Sequence, residues 1–92
     1  MVSPKRVGVL VRPGREPEGL RMSAALTLAD DEIEVLLVGQ ELPETPEVAL
    51  QLDTLDLVEV PVLGRFRDSR VATVTAEEFA DRLVGYDDVL TF

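Results

Sequence analysis

A chain of 92 residues has room for one domain and one core, and 46% apolar content places it among globular rather than disordered sequences. Its net charge is −9, from 18 acidic and 9 basic residues, so phosphate backbones and anionic membrane surfaces repel it, which disfavours nucleic acid and membrane as partners. Cys and His are both absent, which excludes disulfides, thiol nucleophiles, a persulfide carried on this chain and His-based proton transfer; a zinc site would need carboxylates alone.

The start, Met-Val-Ser-Pro-Lys-Arg, has no signal-peptide architecture and runs straight into Arg6 to Val11 (Arg-Val-Gly-Val-Leu-Val). That β-branched run predicts a first strand covered on both faces. Arg12-Pro13-Gly14-Arg15-Glu16-Pro17 then breaks the strand with loop chemistry. A first helix is expected from about Pro17 to Asp30, with Pro17 in the first turn and Glu18 at the positive end of the dipole. Leu20, Ala24 and Leu28 share one face, and Met22, Ala25, Leu26 and Ala29 widen it, a breadth that suits a sheet on one side and another helix or subunit on the other.

Ile33 to Val38 (Ile-Glu-Val-Leu-Leu-Val) reads as strand two, ended by Gly39. A strand, a helix and a strand in tight succession predict a βαβ unit with parallel pairing and a right-handed crossover. Thr45-Pro46-Glu47 supplies an N-cap hydroxyl, Pro at N1 and an early acid, and Val48, Leu52 and Leu55 give helix two its stripe. Leu57 to Leu63 reads as strand three, with Pro61 marking an end, an edge or a bulge. Gly64 to Arg70 is a loop and Val71 to Val74 a short fourth strand. Thr75-Ala76-Glu77-Glu78 fits the capping box of helix three, which carries Phe79 and Leu83 on one face and closes near Gly85. Val89 to Phe92 reads as a buried fifth strand that completes the chain, because a mobile polar tail is absent. The alternation predicts a single α/β layered domain over residues 1–92, with a mostly parallel five-stranded sheet, helices on both faces and a flavodoxin-like style. No apolar run reaches the roughly 20 residues of a membrane span, so the expected location is the cytoplasm.

The basic residues are distributed unevenly: none lies between Met22 and Gly64, where ten acids do. Arg12 and Arg15 follow strand one, and Arg65 and Arg67 follow strand three. In a parallel sheet both loops lie at the carboxyl edge, where α/β ligands bind, and the N-terminus of helix one points there too. Arg grips carboxylate, sulfate or phosphate in bidentate fashion, so these four form a candidate site for a small anion or an acidic partner. The plainer alternative is that the loop arginines pair with Glu16, Glu18 and Asp68, as surface ion pairs do at little energetic consequence.

No phosphate loop is present, since both G-x-x-x-x-G-K-[ST] and G-x-G-x-x-G are missing. Asp30-Asp31-Glu32-Glu34 reads as an acidic loop rather than a cation site, and Asp87-Asp88 as turn chemistry. Ser3, Ser23 and Ser69 have no His to activate them. No catalytic residue, metal or cofactor is expected, and the chain does not read as an enzyme.

Two stretches carry a resemblance. Glu18-Gly19-Leu20-Arg21-Met22 to Leu36-Leu37-Val38-Gly39 resembles helix one and strand two of the DsrE/DsrF-like sulfur-relay family. Val74-Thr75-Ala76-Glu77-Glu78-Phe79, Leu83, Tyr86-Asp87 and Val89-Leu90-Thr91-Phe92 resemble the close of the TusC/DsrF-type subunit: a short strand, a helix, a tyrosine-aspartate pair and a strand ending in Phe. Members that relay sulfur use a Cys after the third strand, yet Val60 to Arg65 carry none here. The family's middle region is also longer, where this chain has only Gly64 to Arg70. The resemblance implies a supporting subunit in a homo- or hetero-oligomer with related, Cys-bearing subunits.

Overall fold

The computed structural model describes residues 4–39 and 41–92. The first three residues, including the start read as lacking a leader, and Gln40 lie outside the described residues. Five strands and three α-helices follow in the order β1 (Arg6–Val11), α1 (Glu16–Leu26), β2 (Glu32–Leu37), α2 (Pro46–Leu57), β3 (Val62–Gly64), β4 (Ala72–Thr73), α3 (Ala76–Val84) and β5 (Asp88–Thr91). The strands form one wholly parallel sheet in the order β4-β3-β2-β1-β5. The fold is thus a doubly wound α/β layer of the flavodoxin-like style, with its own strand order. The Cα radius of gyration, 12.4 Å, is what about 2.2·N^0.38 gives for one compact body of this length.

Alternation along the strands assigns the two faces. Val7, Val9 and Val11 of β1 and Ile33, Val35 and Leu37 of β2 point toward α1 and α2, meeting Leu20, Val48, Leu55 and Val60 in the main core. Gly8, Leu10, Glu34 and Leu36 lie on the other face, where Leu36, Leu63 and Val74 pack with Leu10, Phe79, Leu83 and Tyr86 under α3. The interior is aliphatic, as four aromatics require.

The caps follow the sequence. Thr45 Oγ1 accepts from the Val48 N–H at 3.2 Å with Pro46 at the helix start. Thr75 and Glu78 complete the capping box at 3.1 and 3.2 Å.

Four expectations need correction. Helix one begins at Glu16 and tightens after Leu26 into a 3₁₀ turn, Thr27–Ala29, ended by Asp30 with φ 62°. Thr27 Oγ1 bonds the Ala24 carbonyl at 2.6 Å, and the turn carries Leu28 off the apolar stripe to 88% exposure. Strand three does not start at Leu57, because α2 continues through it. The helix ends in a Schellman motif: Val60 N–H bonds Leu55 C=O at 2.9 Å, Glu59 N–H bonds Asp56 C=O at 3.1 Å, and Glu59 takes φ 58°. Leu55 and Val60 both enter the core, so the cap's apolar contact anchors the turn. Strand four shrinks to Ala72–Thr73. Strand five is an exposed edge rather than a buried strand: all four of its residues are exposed, because the strand order places it at the margin of the sheet beyond β1. Only the neighbouring Phe92 is half-buried against the main core.

Candidate carboxyl-edge cleft

At the carboxyl edge, three loops rim a cleft of about 610 Å³ lined by Pro13, Gly14, Glu16, Glu41, Leu42, Pro43, Glu44, Phe66, Arg67, Asp68 and Arg70. Its first wall is the β1–α1 turn. Gly14 takes φ +86°, a conformation an L side chain rarely adopts, and turns its N–H onto the Glu16 carboxylate at 3.0 and 3.2 Å. Glu16 is only 5% exposed. The head of α1 therefore carries its own built-in carboxylate, stabilised by the helix dipole.

The opposite wall is the β3–β4 connection, which joins parallel strands without a helix. Arg70 holds it in place. Its Nε and Nη2 donate to Asp68 Oδ1 and Oδ2 at 2.9 and 2.6 Å, and the Arg70 N–H adds a third bond to Oδ1 at 2.9 Å. The same guanidinium reaches across to the carbonyls of Pro43 and Leu42 at 3.2 and 3.0 Å. The bonds from Arg70 hold the Asp68 carboxyl down to about 2, and Asp68 in turn raises Arg70. This bidentate clamp fastens the third loop to the second.

The four arginines singled out in the sequence do not converge. Arg67 lines the cleft. Arg12 donates its Nε to the Phe92 carbonyl at 3.1 Å, beside β5. Arg15 pairs with Glu18 at 2.5 Å across an exposed turn of helix. Arg65 is exposed and, like Arg12 and Arg15, is not among the cleft's lining residues. Strand order explains the dispersal: β2 stands between β1 and β3. Sequence reading missed Arg70, although Asp68-Ser69-Arg70 has the spacing of an Asp-headed turn. It took Glu16 for an arginine partner, whereas a backbone amide holds it.

A second polar cluster lies on the α3 face. Glu34 accepts from Arg82 Nη1 at 2.7 Å and from the Tyr86 hydroxyl at 2.5 Å. A charged residue flanked by Ile33 and Val35 in the strand was its signal. Burial and the Glu34 carboxylate raise the Tyr86 phenol well above its ordinary value. The Arg6 guanidinium lies over the Tyr86 ring at 5.9 Å. Asp87 Oδ2 accepts the Arg6 N–H at 2.8 Å. The tyrosine-aspartate pair thus ties the approach to β5 onto β1 and β2, which accounts for both residues structurally.

Among the described residues no group of acids is arranged to hold a metal ion, and no helix is long and apolar enough to cross a membrane. Comparison with family models, curated proteins and solved structures returns no match to this chain.

Proposed function

We propose that the chain is a non-catalytic, DsrE/DsrF-like subunit, closest to the TusC/DsrF type, that works by assembly and not by carrying sulfur. The observation that carries this is the closing unit: a short strand, a capped helix, the Tyr86–Asp87 tie and a β5 whose Val89 and Leu90 stay uncovered. With no Cys, the relayed sulfur must sit on partner subunits. The partners are further copies or Cys-bearing relatives, in the cytoplasm. Light scattering and sedimentation, with the chain alone and mixed with Cys-bearing DsrE-like proteins, test the role: a complex is expected, and a strict monomer in every mixture rejects it.

One observation favours a second reading, a small-anion binder: Arg67 stands on the cleft wall with no ion pair or hydrogen bond among the described residues. Glu16, Glu41 and Glu44 on the same walls oppose an anion. A thermal-shift series with sulfate, thiosulfate, phosphate and nucleotides decides. Stabilisation lost in Arg67→Ala supports the site, and no shift at millimolar ligand rejects it.

A further inference from the structure

We propose that the outer edge of β5 pairs antiparallel with β5 of a second copy, about a two-fold axis at Leu90. The pairing rests on the assembly role proposed above and specifies its partner and register.

The two edges of the sheet differ. β4 offers two residues, and Thr73 there turns its Oγ1 back to the Phe66 carbonyl at 2.9 Å. β5 offers four, and its Val89-Leu90-Thr91 core has no charge, proline or bulge to blunt it. Register with β1 sets Leu90 beside Val9 on the α1 and α2 face, and Val89 beside Gly8 on the α3 face. Val89 is 42% and Leu90 38% exposed, so the strand is uncovered and apolar on both faces. That is the composition of an interior strand at an open edge.

The direction of the backbone selects the register. Phe92 donates its N–H to Leu10 at 2.9 Å and accepts from Arg12 at 3.0 Å, so both its groups face β1. Alternation in a parallel strand then turns Leu90 inward as well, and Val89 and Thr91 outward. An antiparallel copy centred on Leu90 sets each Val89 opposite the other copy's Thr91. Each such pair exchanges two N–H···O bonds, and the two-fold repeats it.

Charge selects the orientation. Asp87 and Asp88 stand at the start of β5, with Lys5 3.5 Å from Asp88 offsetting one of them. Arg12 stands at the far end, held by its bond to Phe92. Antiparallel pairing brings the acidic end of each copy to the arginine end of the other, whereas parallel pairing sets acid against acid. On a chain of net charge −9, this local complementarity aligns the pair. A ladder this short forms a weak dimer, with a Kd of about 100 µM.

Sedimentation equilibrium of the full chain from about 10 µM to about 1 mM brackets that affinity. The mass-average is expected to rise from 10.1 kDa toward the dimer as concentration increases. Val89→Pro removes an outward N–H without touching the β1–β5 ladder, and should stay monomeric with unchanged circular dichroism. Should Val89→Pro fail to fold, Leu90→Lys replaces it by setting two ammonium groups against each other on the axis. Asp88→Arg and Arg12→Asp should each weaken dimerisation about tenfold, and their combination should restore it, because the swapped ends still match. A wild-type monomer at the highest concentration, a dimer indifferent to Val89→Pro and Leu90→Lys, or a double swap without rescue each overturns the pairing. A wild-type monomer that still binds Cys-bearing relatives overturns the pairing and leaves the assembly role standing; a monomer in every mixture removes both.

Discussion

At the scale of single residues, Gly8 and Tyr86 constrain one another. A Cβ built on Gly8 would lie 2.4 Å from the Tyr86 ring, so the strand tolerates no side chain there. Gly8→Ala should displace the ring and cost about 2 kcal/mol, read as a lower urea midpoint at unchanged m-value. Tyr86 is the chain's single tyrosine, and no tryptophan overlaps its absorbance. Its phenol is raised from 10.0 by burial and by Glu34. Stability linked to it is therefore present below pH 10 and lost as the pH climbs past that value, since the unfolded chain ionises first. Phenolate absorbance should remain low in the native protein at a pH where the urea-unfolded chain is already ionised. Coincident native and unfolded curves would show that the ring is not held against Glu34.

At the scale of elements, the turn after α2 and the β3–β4 loop invite substitution. Glu59 occupies the left-handed position of a Schellman cap that glycine fills at lower cost. Glu59→Gly should stabilise the chain by about 0.5–1 kcal/mol, the relief of strain exceeding the added freedom of the unfolded chain. In the clamp, Asp68 falls from 3.8 to about 2. A depressed carboxylate contributes stability that is fully present above its unfolded value and is lost as pH falls through the folded one. With solvent beside the pair, that contribution is about 1 kcal/mol. Between pH 4 and pH 2 the thermal midpoint of the wild type should fall more steeply than that of Asp68→Asn; parallel slopes would exclude the clamp as a source of acid sensitivity. The starts of α2 and α3 were legible in the sequence because caps are local: Thr45-Pro46 and Thr75-x-x-Glu78 each satisfy their own amides. The end of α2 was not, because Leu57-Val58 is as apolar as a strand and the left-handed position is held by Glu59 rather than by a marking glycine, so only the folded cap, with Leu55 against Val60, shows where the helix closes. The site was less legible than the fold for the same reason. Positions of Arg12 and Arg65 at the carboxyl edge follow from chain order, but their separation follows from β2 standing between their strands, which local pattern does not encode.

At the scale of the whole molecule, strand order divides the chain in two. β1, α1, β2, α2 and β3 follow one another across the sheet in sequence, each strand pairing with the next. β5 instead crosses back to pair with β1, joining Val7 to Asp88 and Leu10 to Thr91. Such contacts carry a large closure entropy and form late. Thus Val35→Ala should slow refolding, whereas Leu90→Ala should chiefly speed unfolding, each read from the limbs of a chevron plot. During synthesis β1 is flanked on one side once β2 has been made as far as Leu37, while its other flank stays bare until residues 88–91 emerge. The nascent chain therefore presents a half-paired Val-Gly-Val-Leu-Val ribbon for most of its elongation, and the open flank of that ribbon, rather than any surface of the finished fold, is where premature association between growing chains would begin.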